Sequence, residues 1–112
     1  LMLAEAGARV IKIEMPGGED FRRFPPFSGG YSAAFAAMNA GKDIVTLNLK
    51  DPGALATLRP MIEQADVLVE QFRPGVMARL GLGYDAVRAI NPRLVYCSIT
   101  GYGQSGPRAQ EA

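Results

Sequence analysis

The stretch Asp66-Val-Leu-Val-Glu70, followed by Gln71-Phe-Arg-Pro-Gly75, opens a segment of residues 66–107 that decides the fold. The same segment closes with Leu94-Val-Tyr-Cys-Ser-Ile99 and a Gly-rich loop. Its two short apolar runs, 67–69 and 94–99, are typical of strands buried on both faces of a parallel sheet. The residues between them are numerous enough for a helical crossover. The sequence therefore predicts a βαβ unit.

The carboxyl ends of these two strands are the expected place for binding chemistry, because ligands of open α/β sheets lie there. Gln71, Phe72 and Arg73 follow the first strand, and residues 101–104 follow the second. Pro74 is predicted at the first position of a short helix, whose free amides would favour an anion or a polar acceptor. The pattern therefore indicates an anion-binding rim.

Two cations near this rim each have two interpretations. Arg79 lies one turn into the predicted helix, and its guanidinium fork suits phosphate, but the same side chain could pair with a carboxylate such as Asp85. Lys50 ends the predicted strand 44–49, where it is either a surface lysine or a contact for a phosphate. The pattern alone leaves these alternatives open.

The remaining elements favour an α/β fold with a mainly parallel sheet and flanking helices. The predicted strands are residues 9–14, 44–49, 66–70 and 93–99. Helices are predicted over 31–39, from the Asp51-Pro52 cap to about residue 65, and over 84–90. The second helix is expected to turn Leu55, Leu58 and Ile62 toward the sheet, and Pro60 to kink or divide it.

Residues 15–30 form a long connection that is rich in Gly, Pro and charge and has no periodic pattern. One interpretation is a flap over a ligand, with Arg22 or Arg23 facing an anion. The other is a solvated surface loop, which the composition favours.

The composition bounds the class of protein. At 112 residues, with 48% hydrophobic and 21% charged residues, the chain fits one modest domain at most. A formal net charge of +1 argues against nucleic acid or an anionic membrane as a partner. The single cysteine, Cys97, has no disulfide partner, and no apolar run reaches the roughly 20 residues of a membrane span. We therefore expect a cytoplasmic location.

Several kinds of catalytic site are excluded within this sequence. It contains no histidine, so neither a Ser-His-Asp triad nor a Cys-His pair can form. A metal would need carboxylates alone, and Glu19-Asp20, the only adjacent acidic pair, is expected to be solvated, so no metal site is predicted. The loop Gly101-Tyr-Gly-Gln-Ser-Gly106 follows a strand but lacks the Lys-Ser/Thr of a P-loop. The residues by themselves do not name a substrate.

The beginning and end of the sequence look interrupted. Residues 1–7 have the pattern of the last turns of a helix closed by Gly7, and the final residues stop in a polar stretch. We interpret residues 1–112 as a fragment of one α/β domain.

Taken together, these motifs resemble the class III coenzyme A-transferase family, which includes formyl-CoA and carnitine CoA-transferases and the related α-methylacyl-CoA racemases. The matching stretches follow the family order over nearly the whole chain: Ala4-Glu-Ala-Gly-Ala8, Val10-Ile-Lys-Ile-Glu14, Leu47-Asn-Leu-Lys50, Ala65-Asp-Val-Leu-Val-Glu70, Phe72-Arg-Pro-Gly75, Arg79-Leu-Gly-Leu-Gly-Tyr84, Asn91-Pro-Arg-Leu-Val-Tyr96 and residues 98–107.

The resemblance implies that the chain is the N-terminal part of a Rossmann-like, coenzyme A-binding domain in an interlocked homodimer. It implies coenzyme A contacts at five positions: Leu47, Lys50, Gln71, Phe72 and Arg79. The substrates would be an acyl-CoA and a carboxylic acid acceptor. Many relatives carry an arginine where this chain has Met15, so that cation is either lost or supplied by Arg22 or Arg23.

The resemblance places catalysis outside this chain. In the transferases an aspartate attacks the acyl-CoA carbonyl, whereas in the racemases a histidine and an aspartate move the proton next to the thioester. Both sets normally follow the Gly-rich loop, so the 112-residue chain is expected to be inactive alone. A CoA-transferase fragment is the first interpretation; a racemase fragment and a non-catalytic nucleotide-binding module are the alternatives. The donor and acceptor acids are not indicated.

Overall fold

The computed structural model describes residues 1–111 and divides into two compact units, of which the first is Leu1–Asn48 and the second begins at Leu49. Each unit contains one pair of parallel strands with short helices. This arrangement confirms the predicted α/β class. Within residues 1–111 there is no helix with the length and apolar character that crossing a membrane requires.

The first unit is built on one parallel strand pair, β1 (Val10–Glu14) with β4 (Lys42–Thr46), in which Val10 lies opposite Lys42 and Glu14 opposite Thr46. A short antiparallel pair, β2 (Phe27–Ser28) with β3 (Tyr31–Ser32), lies between them in the sequence. In chain order the elements are α1 (Met2–Glu5), β1 (Val10–Glu14), a 3₁₀ turn (Asp20–Arg23), β2 (Phe27–Ser28), β3 (Tyr31–Ser32), α2 (Ala33–Met38) and β4 (Lys42–Thr46).

Several boundaries in the first unit differ from the prediction. The helix expected over residues 31–39 begins at Ala33, because Tyr31 and Ser32 form β3. Strand β4 was expected over residues 44–49 but begins at Lys42, because its ladder starts opposite Val10 at the beginning of β1. Residues 15–30 were expected to lack regular structure, yet they contain the 3₁₀ turn and β2. The helix end at Gly7 is as expected: its φ of 96° is the left-handed conformation in which glycine commonly ends a helix.

The second unit contains the predicted βαβ arrangement. Strands β5 (Val67–Glu70) and β6 (Val95–Ser98) are parallel, with Val67 opposite Val95 and Glu70 opposite Ser98, and two short helices make the crossover. The second of these helices, α5 (Tyr84–Ile90), has the predicted bounds. The elements are α3 (Ala54–Gln64), β5 (Val67–Glu70), α4 (Val76–Arg79), α5 (Tyr84–Ile90) and β6 (Val95–Ser98).

Helix α3 departs from the prediction at its start and at its proline. The helix begins at Ala54, because residues 51–53 form a turn in which the Ala54 amide donates to the Asp51 carbonyl at 3.0 Å. Pro60 lies inside one continuous helix and does not divide it. Pro60 and Ala56 are both exposed, so water can take the place of the hydrogen bond that the proline cannot donate.

The core of the second unit lies between α3 and α5. On α3 the buried side chains recur every four residues, and the helix contacts α5; the α3 set is Ala54, Leu58 and Ile62. Leu82 is also buried, and so is Val87 of α5. The prediction for Leu55 was wrong, since it lies one position beyond this stripe, rotated by about 100°, and is 41% exposed.

The strands of the second unit are covered on one face only, whereas the apolar runs predicted burial on both. Val67, Val69 and Val95 share the open face and are between 48% and 61% exposed. Alternation places Leu68 and Tyr96 on the other face, where both are partly buried. Within the described part of the second unit, these three valines are not buried.

The Asn91 side chain caps the C-terminal end of helix α3. Its side-chain amide donates to the carbonyls of Ile62 and Ala65, both at 2.9 Å, while its own oxygen accepts from the Arg93 amide at 3.2 Å. The last carbonyls of a helix have no partner within the helix, so a side chain elsewhere must satisfy them. Asn91 therefore couples the end of α3 to the end of α5.

Replacing Asn91 with alanine is expected to lower the free energy of unfolding by about 1–3 kcal/mol, because the Ala65 carbonyl loses its side-chain donor and the Ile62 carbonyl keeps only the Ala65 amide at 3.3 Å. Asn91→Asp should cost at least as much, since a carboxylate would face carbonyl oxygens. Urea titrations measure both. Gln64→Ala, an exposed change at the end of the same helix, is the control and should shift stability by about 0.5 kcal/mol or less. An Asn91→Ala loss no larger than the control's would contradict the capping role.

Candidate functional site

A cavity of about 330 Å³ opens at the carboxyl ends of β5 and β6. The strand ends contribute Glu70 and Ser98, the turn after β5 contributes Arg73 and Gly75, and the Gly-rich loop contributes Gln104. The cavity is thus formed where the topology predicts a ligand. Its polar lining combines a carboxylate, a guanidinium, an amide and hydroxyl groups.

The Glu70 carboxylate connects the two strand ends. The residue is 9% exposed, one carboxylate oxygen accepts from the Phe72 amide at 2.8 Å, and the other accepts from the Ser98 hydroxyl. Its partners are therefore neutral donors from the turn after β5 and from β6. Sequence reasoning did not single out Glu70; its position at the end of a strand on the covered face was the available signal.

Tyr96 forms one wall of the cavity. Its hydroxyl donates to the Leu82 carbonyl at 2.8 Å, and its ring meets Tyr84 edge-to-face at 5.9 Å between centroids. Burial raises the pKa of Tyr96 above its usual value, and the negative charge of Glu70 raises it further. The phenol therefore stays protonated at neutral pH and acts as a hydrogen-bond donor.

The turn after β5 is shaped by Gly75 rather than by Pro74. Helix α4 begins at Val76, so Pro74 is not its first residue as predicted, and Gly75 is its N-cap with a φ of 90°. A side chain at Gly75 would be strained in this left-handed conformation, and its Cβ would lie 3.2 Å from the Arg79 Nη1. Glycine thus allows the Arg79 side chain to fold back over the turn.

Arg79 is exposed and pairs with no carboxylate among the described residues. Within residues 1–111 its guanidinium makes no ion pair, so the alternative of pairing with Asp85 does not occur in the structure. The Arg73 guanidinium, on the other side of Gly75, is also without an ion pair among the described residues. Two unpaired guanidinium groups therefore flank the turn.

The other predicted contact residues lie as follows. Gln71 and Phe72 form the start of the turn after β5, and the Phe72 side chain is exposed to solvent. Lys50 is exposed in the turn that precedes α3. Leu47 belongs to the first unit, where its amide donates to the Glu14 carbonyl at 2.8 Å just after β4. The structure brings Gln71, Phe72 and Arg79 together on one turn and helix.

In the first unit, the arginines of the long connection face carboxylates of the chain itself. Arg22 Nε donates to Glu14 Oε2 at 2.8 Å, and its guanidinium stacks on the Phe35 ring at 4.0 Å. Arg23 pairs with Asp20 at 3.2 Å on the surface. Met15, where relatives were expected to carry a cation, is exposed.

Glu14 is the buried centre of this charged cluster. The hydrogen bond from Arg22 lowers the pKa of the Glu14 carboxyl below its usual value despite burial, and the nearby charges of Arg22 and Lys12 act in the same direction. Lys12 Nζ lies 3.7 Å from Glu14 Oε1 and also donates to Asn39 at 2.9 Å and to Glu19. Of the two acidic residues that were expected to be solvated, Asp20 is, since its side chain is 90% exposed in its pair with Arg23, whereas Glu19 pairs with Lys12 and is 35% exposed. Among residues 1–111, no three His, Cys, Asp or Glu side chains are grouped to hold a metal ion.

Known proteins with similar sequences belong to one enzyme family. The model of CoA-transferase family III matches residues 1–112. The chain is 51% identical over 109 residues to an acetyl-CoA:oxalate CoA-transferase of Acetobacter aceti, covering 96% of this chain and 28% of that protein. It is 43% identical to the succinyl-CoA:glutarate CoA-transferase of Homo sapiens, covering 98% of this chain and 26% of that protein.

Solved structures give the same result. A CAIB/BAIF family protein from Brucella suis superposes with a TM-score of 0.90 at 40% sequence identity, covering 98% of this chain and 30% of that one. The chain therefore spans between a quarter and a third of the length of these relatives. The family match over every residue, the identities above 40% with two transferases and the shared fold lead to one conclusion: the chain belongs to CoA-transferase family III.

Proposed function

We propose that this chain forms the coenzyme A-binding part of an enzyme that moves coenzyme A between carboxylic acids. The observation that carries the proposal is the unpaired Arg79 guanidinium, which lies over the Gly75 turn beyond the carboxyl end of β5. An exposed arginine without a carboxylate partner is available to an anion, and coenzyme A is rich in phosphate.

The five proposed contacts divide by chemistry. Arg79 and Lys50 supply positive charge for phosphates, Leu47 and Phe72 supply apolar surface for the adenine, and Gln71 supplies amide hydrogen bonds. Phe72 suits its role because its ring is exposed while its amide is held by Glu70. No residue of this chain is assigned to the chemical step.

The proposed reaction proceeds through acyl-enzyme intermediates on a carboxylate nucleophile, with an acyl-CoA as donor and a free carboxylic acid as acceptor. Both relatives named above are transferases, which favours transfer over the racemase alternative. We place the complete protein in the cytoplasm as a homodimer, consistent with a free thiol at Cys97.

Replacing Arg79 with alanine in the full-length gene product is expected to weaken coenzyme A binding by about 1.5–3 kcal/mol, roughly 10- to 150-fold, because a charge-assisted contact is lost. Isothermal calorimetry with free coenzyme A measures the affinity. Arg88→Ala, which removes an exposed arginine from α5, is the matched control and should leave the affinity unchanged. Unchanged affinity in Arg79→Ala would remove Arg79 from the site, and a wild-type protein that does not bind coenzyme A would refute the proposed function.

A further inference from the structure

We infer that Glu70 is a positioning residue, whose carboxylate holds the turn of Gln71 and Phe72 in the conformation that receives coenzyme A. The inference rests on the proposed function, since it assumes that Gln71 and Phe72 contact the ligand. Its basis is the geometry at the ends of β5 and β6.

Glu70 acts on the turn through one defined hydrogen bond. The Phe72 amide donates to Glu70 Oε2 at 2.8 Å. Glu70 precedes Phe72 by two residues, so the turn folds back toward the Glu70 side chain. With its amide directed at Glu70, Phe72 leaves its ring exposed. The hydrogen bond therefore sets the orientation of the residue that is proposed to meet the adenine.

The second carboxylate oxygen anchors Glu70 itself. It accepts from the Ser98 hydroxyl on the neighbouring strand, where Ser98 stands opposite Glu70 in the ladder. The strands do not need this contact to pair, because the Ile99 amide already donates to the Glu70 carbonyl at 2.9 Å. The side-chain contact instead fixes the rotamer of Glu70, and through it the turn.

The environment of Glu70 argues against a purely structural use. The residue is 9% exposed, and no Lys or Arg in residues 1–111 lies within ion-pair distance of its carboxylate. Burying a carboxylate without a cation is costly, whereas an apolar residue would close the same space at less cost. Unlike an apolar residue, the carboxylate provides two hydrogen-bond acceptors, one for the Phe72 amide and one for the Ser98 hydroxyl.

The test compares Glu70→Met, which keeps the side-chain length but removes both acceptors, with Glu70→Gln, whose amide can accept from Phe72 and donate to Ser98. In the full-length gene product, Glu70→Met is expected to weaken coenzyme A binding about tenfold, the loss of one charge-assisted hydrogen bond. Glu70→Gln should restore the affinity to within about threefold of the wild type. Calorimetry with coenzyme A gives the affinities.

Two measurements separate positioning from stability. Amide hydrogen exchange by NMR should show the Phe72 amide protected in the wild type and in Glu70→Gln, but not in Glu70→Met. Asn91→Ala, destabilised at a distance from the turn, should keep the wild-type affinity. Equal affinities in Glu70→Met and the wild type would overturn the inference, as would an unprotected Phe72 amide in the wild type, which can be read even if Glu70→Met does not fold.

These outcomes are distinct from failure of the proposed function. A wild-type protein that does not bind coenzyme A refutes the function and the inference together. A wild-type protein that binds coenzyme A and loses affinity in Arg79→Ala, but not in Glu70→Met, keeps the function and refutes the inference alone.

Discussion

Leu58→Ala is expected to lower the free energy of unfolding by about 2–5 kcal/mol, the largest loss among the substitutions considered. Leu58 is 7% exposed and occupies the middle of the buried stripe of α3, between Ala54 and Ile62. Alanine would remove the apolar contacts and leave a cavity beside the core residue Val87, which α5 contributes. Because small domains are stable by only about 5–15 kcal/mol, much of the chain's stability would be lost.

Leu55→Ala is the matched control, since it makes the same chemical change on the same helix at a side chain that is 41% exposed. Urea unfolding followed by circular dichroism should show a loss less than half of that for Leu58→Ala. Equal losses in the two variants would mean that the α3–α5 core does not limit the stability of the chain.

Acidification is expected to lower the thermal midpoint of the chain, with Glu14 as the principal cause in the first unit. The pKa of Glu14 in the folded state is below its usual value of 4.5, chiefly through the Arg22 hydrogen bond. A group with a lowered folded pKa stabilises the fold fully above its unfolded pKa, and that stabilisation is lost as the pH falls through the folded value. The stability that Glu14 contributes should therefore be constant above about pH 5 and decrease below about pH 4.5.

Glu14→Gln tests this assignment. The variant should melt at a lower temperature than the wild type near neutral pH, because Arg22 and Lys12 lose their buried partner, and its midpoint should depend less on pH in the acid range. Glu63→Gln removes a carboxylate from the exposed Arg59 pair on α3 and should change little, since exposed pairs contribute about 0–1 kcal/mol. If Glu14→Gln showed the same acid-induced loss as the wild type, another group would be responsible.

Local sequence patterns were sufficient for the elements whose signals are local. The apolar runs around residues 67–69 and 94–99 predicted the parallel pair β5 and β6, and helix α5 has the predicted bounds because its pattern runs without interruption from Tyr84 to the Asn91-Pro92 stop. The βαβ topology also predicted binding chemistry at the carboxyl ends of these strands, and the structure has a cavity there.

Local sequence patterns did not predict the features that depend on interactions outside the local segment. The start of β4 depends on its register with β1. The regular structure within residues 15–30 depends on the hydrogen bond that the Arg22 guanidinium donates to Glu14, eight residues earlier. Pro60 was expected to interrupt α3, but its exposed position lets the helix continue. In each case the structure depends on an interaction with a distant residue or with water, and the local sequence pattern contains neither.

The α/β class, the βαβ unit and the family were predictable from the sequence, because periodicity and motif order are properties of the chain. The assembly of the candidate site was not predictable in this way, because it depends on contacts between residues that are distant in the sequence. The tertiary structure left Arg79 without a carboxylate and directed the Glu70 side chain at Phe72 and Ser98. These outcomes depend on which groups lie close together at the two strand ends. Glu70 and Ser98 are 28 residues apart in the sequence, so no local pattern indicates their contact.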